Sequence, residues 1–227
     1  MIVKAWRKKM LKRISYLLVV PISRLYLNSE RKTIIENISM IIRPGVFHPS
    51  MFFSTKFLLQ WLKKQSLNNV RVLELGAGSG LLSIYSAKQK AIVTATDISQ
   101  QACLCIEENI LLNKVNIKVY QSDLFMDIPW QQFDLILINP PYYPKNPVAE
   151  NEYAWYCGEE FEYFEKLFFQ IGRYMSNNSK TIMILSEDCN IDRIKSIALK
   201  NKFNWKLIVE KKIFFEENYL FEITLKE

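Results

Sequence analysis

Histidine is all but missing from this chain of 227 residues. The single one, His48, precedes Pro49, so no histidine-based metal cluster is available, no metal site is expected, and His48 reads as structural. Cysteine is scarce too: Cys103, Cys105, Cys157 and Cys189 form no C-x-x-C pair. Without a secretion signal a disulfide framework is unusual at this size, and reduced thiols in a cytoplasmic protein are the simpler reading. No apolar run is long enough to span a bilayer. The nearest, Ile14 to Ile22, follows basic residues as the core of a secretion signal does, but Ser15 and Pro21 interrupt it and no small-residue cleavage site is present. Internal repeats and low-complexity linkers are also absent.

Acidic residues are nearly missing from the first 32 positions. Nine basic residues (Lys4, Arg7, Lys8, Lys9, Lys12, Arg13, Arg24, Arg31, Lys32) face one acid, Glu30; this balance of +8 in a chain of net charge +7 leaves about −1 for the rest. Any tendency to bind polyanions therefore resides in the N-terminal arm. The arm reads as a basic amphipathic helix that packs on the domain or touches RNA, with peripheral membrane contact as the alternative. The expected organisation is an arm and lead-in over residues 1–45, then one domain over 46–227. A hydrophobic fraction of 49% fits a folded chain with one sizeable core.

From Val70 onward short apolar runs alternate with amphipathic stretches, the pattern of β–α units. Strands are expected at Val70–Leu75, Ile92–Ala95, Ile117–Tyr120, Leu135–Ile138 and Thr181–Leu185. Helices are expected over Leu81–Lys88, Ala102–Leu112, about Glu160–Met175, and Ile191–Leu199. Trp205–Val209 and Leu220–Leu225 follow with no helix between them, which implies an antiparallel pair ending an otherwise parallel, doubly wound sheet.

Of only six glycines, three lie in Glu74-Leu-Gly76-Ala-Gly78-Ser-Gly80, between a strand and a helix. Glycines there let the backbone turn sharply and approach a ligand, with N–H groups of the helix start facing it. A dinucleotide fingerprint needs a third glycine where Leu81 stands, and a P-loop needs a lysine after Gly80. Asp97 ends the second strand, at the carboxyl edge where such sheets bind ligands. A carboxylate there accepts both hydroxyls of a ribose, or simply caps a helix. Asp123, just past the third strand, is placed to meet an adenine amino group, and Glu74 to face the amino group of an amino acid.

Together these residues resemble the class I S-adenosylmethionine-dependent methyltransferases, from about Val70 to the C-terminus. The resemblance implies a seven-stranded, Rossmann-like α/β sheet with a reversed last strand, and S-adenosylmethionine as cofactor. It implies that Gly76, Gly78 and Gly80 cradle the methionyl part, that Asp97 binds the ribose and that Asp123 contacts the adenine.

A second motif closes the fourth strand: Asn139-Pro140-Pro141-Tyr142. Two prolines impose a stiff, extended backbone. An amide or aromatic amine is a poor nucleophile because its nitrogen lone pair is delocalised. Two acceptors on its N–H bonds, the Asn139 side-chain oxygen and the Pro140 carbonyl, aim that lone pair at a methyl group, and Tyr142 stacks on a flat target. The motif resembles that of methyltransferases acting on planar nitrogens: adenine amino methylases, HemK-type protein glutamine methylases and guanine-modifying RNA methylases. Upstream, Pro44 to Phe47 and then Ser54, Thr55 and Lys56 look like the segment preceding the core in the small-domain relatives, where it closes over cofactor and target. Ser54 and Thr55 are thus candidates for hydroxyl contacts, Thr55 on the cofactor side; as a bare pattern the same stretch is a helix start. The aromatics Tyr143, Tyr153, Trp155 and Tyr156 form either a stacking platform over the site or packing for the helix that follows.

The chain departs from these relatives in two respects. HemK-type release-factor methylases carry a larger helical domain ahead of the core than the 45 residues here would build, and the guanine methylases often have Asn-Pro-Pro-Phe and a duplicated domain. The expected acceptor is a planar nitrogen in a macromolecule, a protein glutamine ahead of an RNA or DNA base, with possible nucleic-acid contact through residues 1–32. A non-catalytic RNA-binding module is the remaining alternative.

Overall fold

The computed structural model describes residues 29–46, 49, 53–213 and 216–226; His48, Phe47, the run Ile14–Ile22 and most of the basic arm lie outside the described residues. Among those described, no helix is long and apolar enough to cross a membrane.

The described residues open on a hairpin, β1 (Arg31–Ile35) and β2 (Ile38–Ile42), which the sequence pattern does not announce. Its two-residue turn, Glu36 and Asn37, has φ of 50° and 64°. Two left-handed residues match the right-handed twist of the flanking strands. After α1 (Phe53–Leu62) come β3 (Arg71–Leu75), α2 (Leu81–Lys88), β4 (Ile92–Asp97), α3 (Gln100–Asn113), β5 (Ile117–Gln121) and β6 (Phe133–Ile138). The second half is α4 (Glu162–Ile171), β7 (Met175–Ser186), α5 (Ile191–Lys200), β8 (Phe203–Ile213) and β9 (Glu216–Leu225).

The seven strands of the main sheet run β5-β4-β3-β6-β7-β9-β8. All pairs are parallel up to β7; β9 lies antiparallel to both β7 and β8. Each face carries its own core. One gathers α1, α2, α3 and the hairpin through residues such as Leu58, Leu82 and Ile106, and the other gathers α4 and α5 through Phe164, Phe168 and Ile197. Strand order reverses between β3 and β6, and in a doubly wound sheet that switch point opens a crevice beyond the carboxyl ends of the strands.

The hairpin is held by side-chain amides. Asn109 of α3 is fully buried; its Oδ1 accepts from Ile41 N at 2.7 Å, while its Nδ2 donates to Ile41 O at 2.8 Å and to Ser79 O at 3.1 Å. It thus pairs with β2 as another strand would and ties that strand to the glycine turn. Asn113 donates to Ser39 O at 2.7 Å, and Arg43 makes a two-point ion pair with Glu108.

One expected helix is shorter than its periodicity suggests. Phe161, Phe164, Phe168, Ile171 and Met175 are all buried, but the helix spans Glu162–Ile171, a 3-10 turn covers Gly172–Tyr174, and Met175 begins β7. The common core, not one continuous helix, imposes the apolar spacing. Strand β7 also starts earlier than the run Thr181–Leu185 indicates. Its polar stretch 176–179 bulges out between Met175, paired with Phe133, and Lys180, paired with Leu135. Ser179 Oγ donates to Phe133 O at 2.6 Å and accepts from Ser176 N at 2.7 Å, taking over the backbone pairing.

At the opposite edge of β3 and β6, Asp134 accepts from Arg71 N (2.8 Å), Nε (3.1 Å) and Nη2 (2.6 Å). The Arg71 guanidinium holds this carboxyl below its ordinary value of 3.8. Both side chains are about 40% exposed, so solvent screens the pair. Asp134→Asn is expected to lower stability by under about 1 kcal/mol at neutral pH. A depressed carboxylate stabilises the fold above its unfolded value and loses that contribution as pH falls through the folded one. Thermal melts of parent and variant should therefore converge in acid; a gap that persists unchanged there would contradict this assignment.

Candidate active site

A cavity of about 180 Å³ occupies the switch point. Its floor is the glycine turn between β3 and α2. Gly76, Gly78 and Gly80 have φ of 69°, 55° and 82°, a left-handed conformation that side chains resist. Gly76 and Gly78 line the cavity. Gly80 is placed differently: it caps α2, and a Cβ there would meet Ile106 at 3.2 Å, so its role is the close packing of α2 against α3.

Asp97, at the end of β4, also lines the cavity. Its Oδ2 accepts from Gly78 N at 2.9 Å and its Oδ1 from Ser99 N at 3.0 Å. One carboxylate therefore fixes the glycine turn and the start of α3 together. Each oxygen retains lone-pair capacity, because an ionised carboxylate has about four acceptor sites. Burial raises the Asp97 pKa above its ordinary value, opposed by those backbone N–H groups.

Asp123 lines the same cavity but is not free-standing: its Oδ2 is paired with Lys166 Nζ of α4. Glu74 is placed otherwise. It is 6% exposed and does not line the cavity; its Oε2 accepts from both the backbone N (2.8 Å) and the hydroxyl of Ser83, bracing the glycine turn from beneath. Burial pushes its pKa up to about 8, against the lowering effect of the Ser83 bonds.

The opposite wall is Asn139-Pro140-Pro141-Tyr142, directly after β6, all four lining the cavity. Asn139 Nδ2 donates to Ser54 Oγ at 3.2 Å and Thr55 Oγ1 at 3.4 Å, in the first turn of α1. Ser54 borders the cavity, whereas Thr55 is buried behind it. The Tyr142 ring packs into the α4–α5 core and tilts against Tyr143, with centroids 4.8 Å apart; burial drives its hydroxyl well above the usual phenol range.

The aromatic segment after the motif is tied down by its backbone. Tyr143 N donates to Trp155 O at 3.0 Å, and Cys157 N to Tyr143 O at 3.0 Å. This brings Glu150, Tyr153 and Trp155 to the cavity rim, while Cys157 and Phe161 enter the core below. The segment is thus both cover and packing.

Three cavity residues carry no signal in the sequence. Tyr163 stands on α4 beside Asp97 and Asp123, and burial raises its phenol pKa; in sequence it is one more ring in an aromatic helix. Glu150 arrives through a 3-10 turn, and Leu124 adopts φ of 55° after Asp123. The described lining residues include Asp97, Asp123 and Glu150 and no lysine or arginine. Lys166 answers the charge of Asp123, and the carboxylates of Asp97 and Glu150 are left to favour a cationic group such as a sulfonium; the glycine floor with the remaining acceptor capacity of Asp97 fits a nucleoside-bearing ligand.

Comparison with known proteins agrees with this geometry. Residues 37–155 match the family model of the methyltransferase small domain. A Methanocaldococcus jannaschii protein, provisionally named a protein N5-glutamine methyltransferase, is 31% identical over 193 residues, covering 81% of this chain and 93% of its own length. A Buchnera aphidicola ribosomal RNA small subunit methyltransferase C is 35% identical over 108 residues, which are 46% of this chain and 31% of that protein. Among solved structures, the ribosomal protein L11 methylase of Lactobacillus delbrueckii subsp. bulgaricus superposes with a TM-score of 0.61 at 22% identity, over 82% of this chain and 84% of its own.

Proposed function

We propose, for a chain that belongs to the methyltransferase small domain family and is an S-adenosylmethionine-dependent N-methyltransferase, that the acceptor is the side-chain amide of a protein glutamine. The observation that carries the choice of a protein over a nucleic acid is the similarity to the Methanocaldococcus protein, which extends over 93% of that protein and 81% of this chain. The ribosomal RNA methyltransferase of Buchnera matches over 46% of this chain. At the cavity rim Glu150 adds a carboxylate, which repels phosphates.

In this reading Gly76 and Gly78 give backbone access to the methionyl part, with Gly80 holding the helix behind them. Asp97 accepts the ribose hydroxyls, and Asp123, steadied by Lys166, borders the adenine. Bound S-adenosylmethionine supplies an activated methyl group on a sulfonium. The chain's own contribution is geometry. Asn139 Oδ1 and the Pro140 carbonyl accept the two N–H bonds of the target amide, directing its nitrogen lone pair toward the methyl carbon. The Tyr142 ring holds the amide plane. Asn139 Oδ1 and the Pro140 carbonyl would stabilise the positive charge that the nitrogen gains on taking the methyl group, the carbon–sulfur bond of the sulfonium breaking to leave a neutral thioether as the nitrogen–carbon bond forms, until one N–H proton leaves to solvent.

Incubating a cell extract with the protein and methyl-tritiated S-adenosylmethionine tests the acceptor. Label should survive nuclease, be lost to protease, and appear as N5-methylglutamine after complete enzymatic proteolysis. Label destroyed by nuclease would overturn the protein assignment in favour of a nucleic-acid base.

A further inference from the structure

We infer that Ser54 and Thr55 are positioning residues that fix which end of the Asn139 amide faces the acceptor; this rests on the amide-methylation reading above. A side-chain amide is planar, with an oxygen acceptor at one end and two N–H donors at the other. Only the oxygen end is useful here, because a donor turned toward the acceptor's own N–H groups repels them. Left alone, the terminal torsion of asparagine is broad and roughly two-fold. In this structure Nδ2 faces two hydroxyl oxygens, Ser54 Oγ at 3.2 Å and Thr55 Oγ1 at 3.4 Å. Here both hydroxyls act as acceptors and take up the two N–H bonds, which leaves Oδ1 of Asn139, a residue lining the cavity, without a hydrogen-bond partner among the described residues.

The hydroxyls stand on a rigid platform. They lie in the first turn of α1, whose Phe57, Leu58, Leu59 and Leu62 are between 0% and 4% exposed against the sheet. Thr55 is itself 8% exposed and does not border the cavity, so its hydroxyl acts through Asn139 and not on a ligand. Contact between α1 and the end of β6 spans more than 80 positions of sequence. The segment before the catalytic core thereby enters the chemistry through Asn139.

The test is a mutant cycle. Ser54→Ala, Thr55→Val and the double variant are compared in the parent and in an Asn139→Ala background. The readouts are tritium transfer to the protein fraction of a cell extract at saturating cofactor, and the calorimetric Kd of S-adenosylhomocysteine. The double variant should transfer label about 10- to 10²-fold more slowly, the range for a misplaced catalytic group, with Kd within about twofold of the parent. In the Asn139→Ala background the same changes should cost nothing further, because there is no amide left to orient. Ser54→Thr and Thr55→Ser, which keep the hydroxyls, should retain most of the parent rate. Equal fold losses in both backgrounds, a parallel loss of cofactor affinity, or a double variant as fast as the parent would overturn the inference. The reading it rests on fails differently: Asn139→Ala alone would transfer label at the parent rate. Should Thr55→Val not fold, shown by its melt and by lost cofactor binding, Ser54→Ala in the two backgrounds decides by the same criteria.

Discussion

Asn139→Ala is expected to reduce turnover by about 10²–10³-fold, the scale of a lost transition-state hydrogen-bond partner, while leaving the Kd for S-adenosylmethionine within a few-fold. The separation follows from placement. The glycine turn and Asp97 form one side of the cavity, on β3, β4 and α2, and Asn139 stands on the other, at the end of β6. Asp97 accepts from the backbone N–H groups of Gly78 and Ser99, and the Asn139 side chain donates to the hydroxyls of Ser54 and Thr55, so the two groups share no partner. Effects at sites without shared partners are close to additive, and loss of the amide should leave the cofactor side intact. The steep loss in rate has a chemical origin. The acceptor nitrogen becomes electron-rich only when its N–H bonds are drawn onto acceptors, and the Pro140 carbonyl alone holds one of the two. Single-turnover transfer and calorimetry on the same preparation separate the terms. A variant that binds cofactor poorly but turns over normally once saturated would place Asn139 on the cofactor instead and refute the amine clamp.

What the sequence discloses about this molecule is governed by how local each constraint is. The turn from Gly76 to Gly80 is legible because its left-handed backbone demands glycine residue by residue, and α2 begins and ends where its pattern indicates. The place of Asp97 and Asn139 on the cavity is legible because each closes a strand, and a doubly wound sheet opens its crevice beyond the strand ends. The hairpin is not legible. Its turn is Glu36-Asn37 in place of the usual Asn-Gly, and its pairing is completed by Asn109, some 68 positions away. The pairing of Asp123 with Lys166 crosses 43 positions, and Tyr163 meets the cavity only because α4 packs where it does. Glu74 is legible as a strand residue before the turn, but its contact is not: its carboxylate accepts from the backbone and the hydroxyl of Ser83, nine positions on in α2.

Asp97→Ala should raise the Kd for S-adenosylmethionine by about 10²–10⁴-fold. Two hydrogen bonds from ribose hydroxyls to a carboxylate contribute on the order of 1.5–3 kcal/mol each, and about 1.4 kcal/mol corresponds to tenfold in affinity. A second contribution has the same sign. Removing the carboxylate leaves the N–H groups of Gly78 and Ser99 without the acceptor they now reach at 2.9 and 3.0 Å, so the turn that cradles the ligand loosens as well. Asp97→Asn separates the two contributions. Its single oxygen can serve one backbone donor, but its amide nitrogen must face the other, and affinity should fall between that of parent and alanine variant. Acid provides an independent check. Burial raises the Asp97 pKa above its ordinary 3.8, so acid removes an acceptor sooner than it would from an exposed aspartate, and affinity should fall as pH drops through that raised value. The asparagine variant carries no such proton and should show a flatter profile over the same range. Calorimetric titration of parent, alanine and asparagine variants with S-adenosylhomocysteine, repeated at neutral and mildly acidic pH, measures all of this. An alanine variant that binds as tightly as the parent would remove the ribose from Asp97 and leave the carboxylate with a purely structural duty between the glycine turn and α3.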